Sequence, residues 1–388
     1  MPVKRRRLAQ RRKAVGFSQE DLAERLQVDR STVVRWERGE TEPQPCLRPR
    51  LAAALQTSVD ELAELITSPE PRTAEADDRL DYVARNPCSV DLVVVAHLRE
   101  RVEDLDMRYD RSPSTSLLAS AGECLGAAAF LRAQAGRTHV RRQLLAVEAS
   151  AATLMGQLVW DASQRRDHDT ARRYLGQAVN AARELRDPVA EGLARMRAGF
   201  VALYGEKNPH RGLEALAQTA AVSGHASQVV TGLAVLHTAE AHAMLGQRHE
   251  CEQALDSAES QFEQVRDNDP AIDLFSSTQQ ARVAGSCYLF LRESRRAHVI
   301  LSDTARILSD RSKSQAIVLG NLALACARQG DPDEAAAALH LAMDVAEVTR
   351  GGGGLNVIFS VGRELKPWRH LSVVQEAHDR LLSLVAAA

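Results

Sequence analysis

Arg30, Ser31, Thr32, Arg35 and Arg38 fall within a single nine-residue stretch. Arginine offers a rigid fork of donors that suits base edges and phosphates, and small hydroxyls bond to either. The set therefore has the chemistry for gripping a polyanion and telling bases apart. That work requires one exposed face. Leu22, Ala23 and Leu26, then Val28, then Val33 and Trp36 predict two short helices sharing a buried face. Only a few residues separate them, so the helices must cross sharply. Ser18 and Asp29 suit the two N-caps, and Gly39 suits a stop after Arg38. With the apolar side inward, Arg30, Ser31, Thr32 and Arg35 point away from the core.

The segments SQEDLAERL, DRSTVVRWERG and LRPRLAAALQTSVDELAEL resemble the Cro/C1-type (XRE) helix-turn-helix family over about residues 4–66. The resemblance implies a five-helix domain that binds operator DNA as a dimer. It implies that Gln19 meets the DNA backbone, that Arg30, Ser31 and Arg35 face bases, and that Thr32 and Arg38 lie nearer phosphate. Arg12 and Glu37 occupy the places of a buried, structural ion pair. Two positions depart from the pattern. Gln27 replaces the usual turn glycine and must accept an unfavourable backbone conformation or a different turn. Val34 replaces a polar residue on the DNA side. Glu40 and Glu42 precede Arg48 and Arg50 where the family often carries basic residues, which weakens the expected phosphate grip there.

At 388 residues the chain is long enough for two or more units. Aromatics are only 4% of a composition dominated by alanine and leucine, which favours helix. Neither a membrane-spanning apolar run nor a secretory segment is evident, so a cytoplasmic protein is expected. Cys46, Cys88, Cys124, Cys251, Cys287 and Cys326 show no CxxC spacing, as expected of reduced, mostly buried thiols. The net charge of −2 divides unevenly, +3 over residues 1–66 and −5 over the rest. A basic head on an acidic body suits a DNA-contacting tip. Lys4–Arg7 has the composition of an arm that follows the duplex.

TSPEPRTAEADD (Thr67–Asp78), with two prolines and no large apolar residue, reads as an exposed linker. Residues 79–388 carry a helical pattern, so the fold class expected is all-α. Five segments there repeat a small–large–small stripe: Ala171/Leu175/Ala178, Gly212/Leu216/Thr219, Cys251/Leu255/Ala258, Ala297/Leu301/Thr304 and Ala335/Leu339/Ala342. Such stripes let antiparallel helix pairs approach and stack into a superhelix. Asn321–Ala346 resembles a tetratricopeptide repeat with Gly330 at its turn, and Val235–Phe262 places Gly246 likewise. Ser116–Leu145 reads as a further degenerate pair. Gly351–Gly354 cannot be stable helix interior by propensity, each glycine costing about 1 kcal/mol against alanine, and reads as a flexible connection. The last apolar helix suits a cap or a dimer contact.

No nucleophile elbow, zincin, phosphate-loop or dinucleotide motif is present, so no enzyme, cofactor or metal is expected. His237 and His242, five apart, fall on different helix faces, and His249 with Cys251 lacks a second ligand pair. The tetratricopeptide resemblance turns Trp160, Arg197, Tyr204, Glu240, Gln279, Arg282 and Arg328 toward an inner surface. There the arginines suit a carboxylate and the aromatics a stacking surface; repeat core or solvated charge is the plainer reading of each. A helix-turn-helix head on such a body is similar to peptide-responsive quorum-sensing regulators of Gram-positive bacteria and to actinobacterial regulators. That resemblance implies a homodimer that binds double-stranded operator DNA and whose repeats sense a peptide or small-molecule effector. The alternative is a protein-interaction scaffold whose head does not bind specific DNA.

Overall fold

The computed structural model describes residues 8–9, 11–12, 15, 17–38, 41–44, 47–55, 57–58, 62, 72–308 and 311–386. The Lys4–Arg7 arm, Gly39, Glu40, Cys46 and residues 67–71 of the expected linker lie outside them. Every described element is helical, as the all-α reading requires, and the chain divides into two compact units, Met1–Asp81 and Tyr82–Ala388.

In the first unit α1 (Gln19–Leu26) and α2 (Arg30–Glu37) form the expected pair, followed by α3 (Arg48–Ala54). Leu22, Ala23, Leu26, Val33 and Trp36 join Leu8, Leu51, Leu55 and Leu62 in one buried core, with Val28 packed at its edge. Ser18 closes a capping box: its Oγ accepts from Asp21 N at 3.0 Å while Asp21 Oδ2 accepts from Ser18 N at 2.8 Å. Gln27 sits at φ 56°, ψ 47°, the left-handed conformation that the family's glycine would adopt without strain.

The second unit begins within α4 (Arg72–Arg85), so the later part of the expected linker is helix. α5 (Leu92–Tyr109) and α6 (Ser114–Gln134) follow. By length and composition α6 is apolar enough to cross a membrane, against the expectation from sequence. Its Leu117, Ala121, Cys124, Ala128 and Leu131 are nonetheless buried within the unit. Five antiparallel pairs come next: α7 (Thr138–Ala162) with α8 (His168–Leu185), α9 (Pro188–Phe200) with α10 (Pro209–Ser223), and α11 (Gln228–Met244) with α12 (Arg248–Glu263). The last two are α13 (Ser277–Phe290) with α14 (Ser294–Ile307), and α15 (Lys313–Gln329) with α16 (Pro332–Thr349). α17 (Gly352–Glu364) and α18 (Ser372–Ala386) end the stack.

The repeated stripes lie on the second helix of each pair, and all their members are buried except half-buried Leu255. Full burial of each leucine contributes about 1.5–3 kcal/mol. Gly330 (φ 82°) and Gly246 (φ 73°) stand at the turns assigned to them. Cys124, Cys251, Cys287 and Cys326 are buried free thiols, whereas Cys88 is exposed.

The glycine run is not a flexible connection. Gly351 is the N-cap of α17, Gly352–Gly354 form its first turn, and all four are buried. A Cβ on Gly352 would stand 2.7 Å from Asp161 O and 2.9 Å from Gln164 Cα, backbone that cannot yield. Helix propensity loses here to a backbone approach that no other residue permits. The approach belongs to a clasp between early and late repeats. Lys313 Nζ lies 2.9 Å from Asp161 Oδ2 and donates to Ser114 Oγ at 2.7 Å, which itself donates to Asp161 Oδ2. Gly352 N donates to Asp161 Oδ1 at 2.9 Å, and Lys313 N donates to Asp110 O at 2.7 Å. The Lys313 ammonium also lies 3.9 Å from the centre of the Tyr109 ring.

Candidate nucleic-acid interface and inner polar cluster

The outer face of α2 is held from behind. Arg12 Nε donates to Glu37 Oε1 at 2.7 Å, and both side chains are under one-tenth exposed. Arg12 Nη1 also donates to Phe17 O at 2.6 Å. Gln19 Nε2 donates to Glu37 Oε2 at 2.7 Å, so the structure gives this expected backbone-contacting residue a partner inside the clamp. Asp29 takes the N-cap conformation without a side-chain capping bond.

Arg30, Ser31, Arg35 and Arg38 are exposed, while Thr32 and Val34 are half-buried. Arg30 pairs with Glu20 at 3.4 Å, with both side chains more than half exposed. Such a pair contributes about 1 kcal/mol or less and exchanges readily for a phosphate. Arg35 Nε donates to Ser31 O at 3.2 Å, laying the guanidinium along the helix face. At the start of α3, Arg48 donates to Glu42 Oε2 at 3.0 Å and to Pro43 O at 3.1 Å in the preceding loop.

The second unit gathers a polar cluster. After Phe200, α9 passes into a π turn, Val201–Gly205, which carries Tyr204. Glu240, 5% exposed, accepts from Ser286 Oγ at 2.6 Å on one oxygen and from the Tyr204 hydroxyl on the other. His237 Nδ1 lies 2.8 Å from Tyr204 Oη and 3.3 Å from Glu240 Oε2. Burial pushes the Glu240 carboxyl upward, but bonds from His237, Ser286 and Tyr204 outweigh it and hold the group below its ordinary range. Burial pushes His237 down, and burial beside Glu240 pushes the Tyr204 phenol well up. An ionised Glu240 thus faces a neutral imidazole and a neutral phenol. The tautomer follows from that network: Nδ1 carries the proton, and Nε2 is left an acceptor.

Trp160 adjoins this group through Arg165, whose guanidinium carbon lies 4.7 Å from the Trp160 ring and 5.7 Å from the Tyr204 ring. Three buried atoms here have no hydrogen-bond partner among the described residues: His237 Nε2, Trp160 Nε1 and Arg165 Nε. Arg197 stacks on Phe200 at 5.6 Å, and with Arg282 its charge acts on His237. Gln279 lies one turn before Arg282 on α13 and is half-buried.

Trp160, Arg197, Tyr204, Glu240 and Arg282 therefore come together. Arg328 does not. It is exposed, donating to Leu289 O at 2.9 Å and to Glu364 at 3.3 Å. Sequence reasoning missed Arg165, Phe200, His237 and Ser286. The His237–Glu240 spacing of three places both on one helix face and was a usable signal. Arg165 lies in a turn at φ 63° after α7, which no local pattern marks.

A family model described as helix-turn-helix matches residues 8–62. No curated protein matches the chain. Among solved structures, the apo form of the quorum sensor NprR from B. thuringiensis is 13% identical with a TM-score of 0.45, covering 79% of this chain and 86% of that one. Bacillus thuringiensis PlcR, in complex with the peptide PapR7 and DNA, is 16% identical with a TM-score of 0.30, covering 68% of this chain and 95% of that one.

Proposed function

With residues 8–62 an XRE-type helix-turn-helix DNA-binding domain, we propose that the chain is a cytoplasmic, homodimeric, sequence-specific regulator of transcription whose repeats answer to an effector. The division proposed is a reading head at 1–66, a connection at 67–78 and a sensing and dimerising body at 79–388. The observation that carries the DNA reading is the clamped α2, with Arg30, Ser31 and Arg35 on its solvent face. Arg30, Ser31 and Arg35 read bases, and Thr32 and Arg38 touch phosphate. Gln19 orients α2 through Glu37 and stays available to the backbone at the start of α1. A dimer would present two such helices about 34 Å apart, one turn of DNA. Supporting an effector are the three partnerless buried atoms beside the Glu240 network, flanked by Arg197 and Arg282. That lining suits a polar or carboxylate-bearing small molecule or peptide.

Genomic-DNA capture followed by sequencing tests the first half. Discrete enriched sites are expected, with affinity falling steeply as salt is added. No enrichment, together with a stably co-purifying protein, would replace this reading by the interaction scaffold. Arg35→Ala is expected to lose about 1–3 kcal/mol of operator affinity with unchanged melting; unchanged affinity would remove Arg35 from the readers. Native mass spectrometry of the full chain tests the second half: a bound mass lost in Glu240→Gln supports it.

A further inference from the structure

We propose that His298, Cys326 and Glu334 form a binding site for a divalent, borderline-soft cation, Zn2+ by its chemistry, joining two adjacent repeats. The three residues come from α14, α15 and α16. His298 Nε2, Cys326 Sγ and a Glu334 carboxylate oxygen all lie within 4.8 Å of one another. His298 Nε2 stands 3.1 Å from Glu334 Oε1. Ligand atoms about 2.0–2.3 Å from a tetrahedral Zn2+ lie roughly 3.2–3.7 Å apart, so the His298–Glu334 pair already has the spacing and a contraction of at most about 1.5 Å brings in the sulfur.

The scaffold behind the ligands is tied. Asp331 N donates to Cys326 O at 3.1 Å, and Asp331 Oδ1 accepts from Glu334 N at 3.0 Å. The α15–α16 turn thereby sets the sulfur and the carboxylate together. Gln329 Nε2 donates to Ser294 O at 3.4 Å, holding α14, and with it His298, to α15. Cys326 is fully buried, His298 about one-quarter exposed and Glu334 about half exposed. The sulfur forms the floor, and the fourth position opens to solvent for a water.

Cysteine, histidine and carboxylate together fit Zn2+, whereas Mg2+ and Ca2+ prefer oxygen throughout. Binding displaces the thiol proton: the sulfur–metal bond forms, the S–H bond breaks and the proton leaves to solvent. Because α14 belongs to one pair and α15–α16 to the next, occupancy pins their packing. A paired His298–Glu334 above an idle core thiol is the plainer arrangement, and binding distinguishes the two.

The test uses the full chain, freed of metal by a chelator and titrated with Zn2+ by calorimetry and with Co2+ by absorption. Expected are one equivalent per chain and a Co2+ spectrum with a thiolate charge-transfer band and tetrahedral bands. Cys326→Ala should abolish the charge-transfer band, while Cys88→Ser, at an exposed thiol, leaves it in place. Since Cys326 is buried, Glu334→Gln at an exposed position supplies a variant that folds. It should weaken Zn2+ roughly ten-fold or more. Absence of saturable binding, or a thiolate band that survives Cys326→Ala, overturns the site.

Discussion

Each unit hides an ion pair, and the two differ in kind. In the head, Arg12 and Glu37 lie 25 positions apart inside one motif, and Gln19 and the Phe17 carbonyl complete the clamp. In the body, Lys313 and Ser114 meet across 199 positions and Gly352 reaches Asp161 across 191. The head's pair steadies a helix whose arginines face solvent. The body's pair fastens a stack whose polar groups face inward. A solvent-facing site needs rigid support from behind, whereas an enclosed one also depends on how its walls are joined.

Removing single partners should separate the two pairs. Asp161→Ala strands a buried ammonium and takes the acceptor from Ser114 and Gly352. It is expected to cost about 3–5 kcal/mol in denaturant unfolding of the body. Adding Lys313→Met should recover much of that loss; failure to recover any would mean that the clasp acts through Gly352 instead. Glu37→Ala should cost about 3 kcal/mol, confined to the head, with DNA binding lost and the body's transition unmoved. A shift in both transitions would erase the contrast between the units.

Smaller effects sharpen it. Gln27→Gly relieves the left-handed turn and should stabilise the head by about 1 kcal/mol, read as a higher head transition. His237 supplies the least. Its folded pKa lies below the ordinary value of 6.5 because burial disfavours the charged ring among Arg197, Arg282, Glu240 and Tyr204. The unfolded chain takes up that proton first, so the body's stability is full above pH 6.5 and falls as pH drops through it. His237→Gln should flatten that acid limb, and an unchanged limb would assign it to other groups.

Most of the head could be read from its residues. The Ser18 cap, the strained Gln27, the Arg12–Glu37 pair and the exposed α2 arginines are all found where the motif set them. Gln19 gained a partner the motif did not set, Glu37. In the body the stripes and the turn glycines were equally readable, since each depends on side chains three or four positions apart. Arg328 stands apart from the Glu240 cluster, on Leu289 O and Glu364, because helical facing says which side a residue takes but not what reaches it. The glycine run was misread because propensity speaks for an isolated helix, not for one whose first turn rests on the backbone of Asp161 and Gln164.

Sequence by itself determined what is local: helix ends, buried stripes, the sharp turn before α2 and the side chains α2 turns outward. These follow from φ/ψ preference and helical period, which act over a few residues. Tertiary structure alone decided which distant residues share a space. It brought Asp161 to Lys313, Tyr204 to Glu240, and His298 to Cys326 and Glu334. Those meetings depend on the angles at which successive helix pairs stack, and small changes in each accumulate along the array.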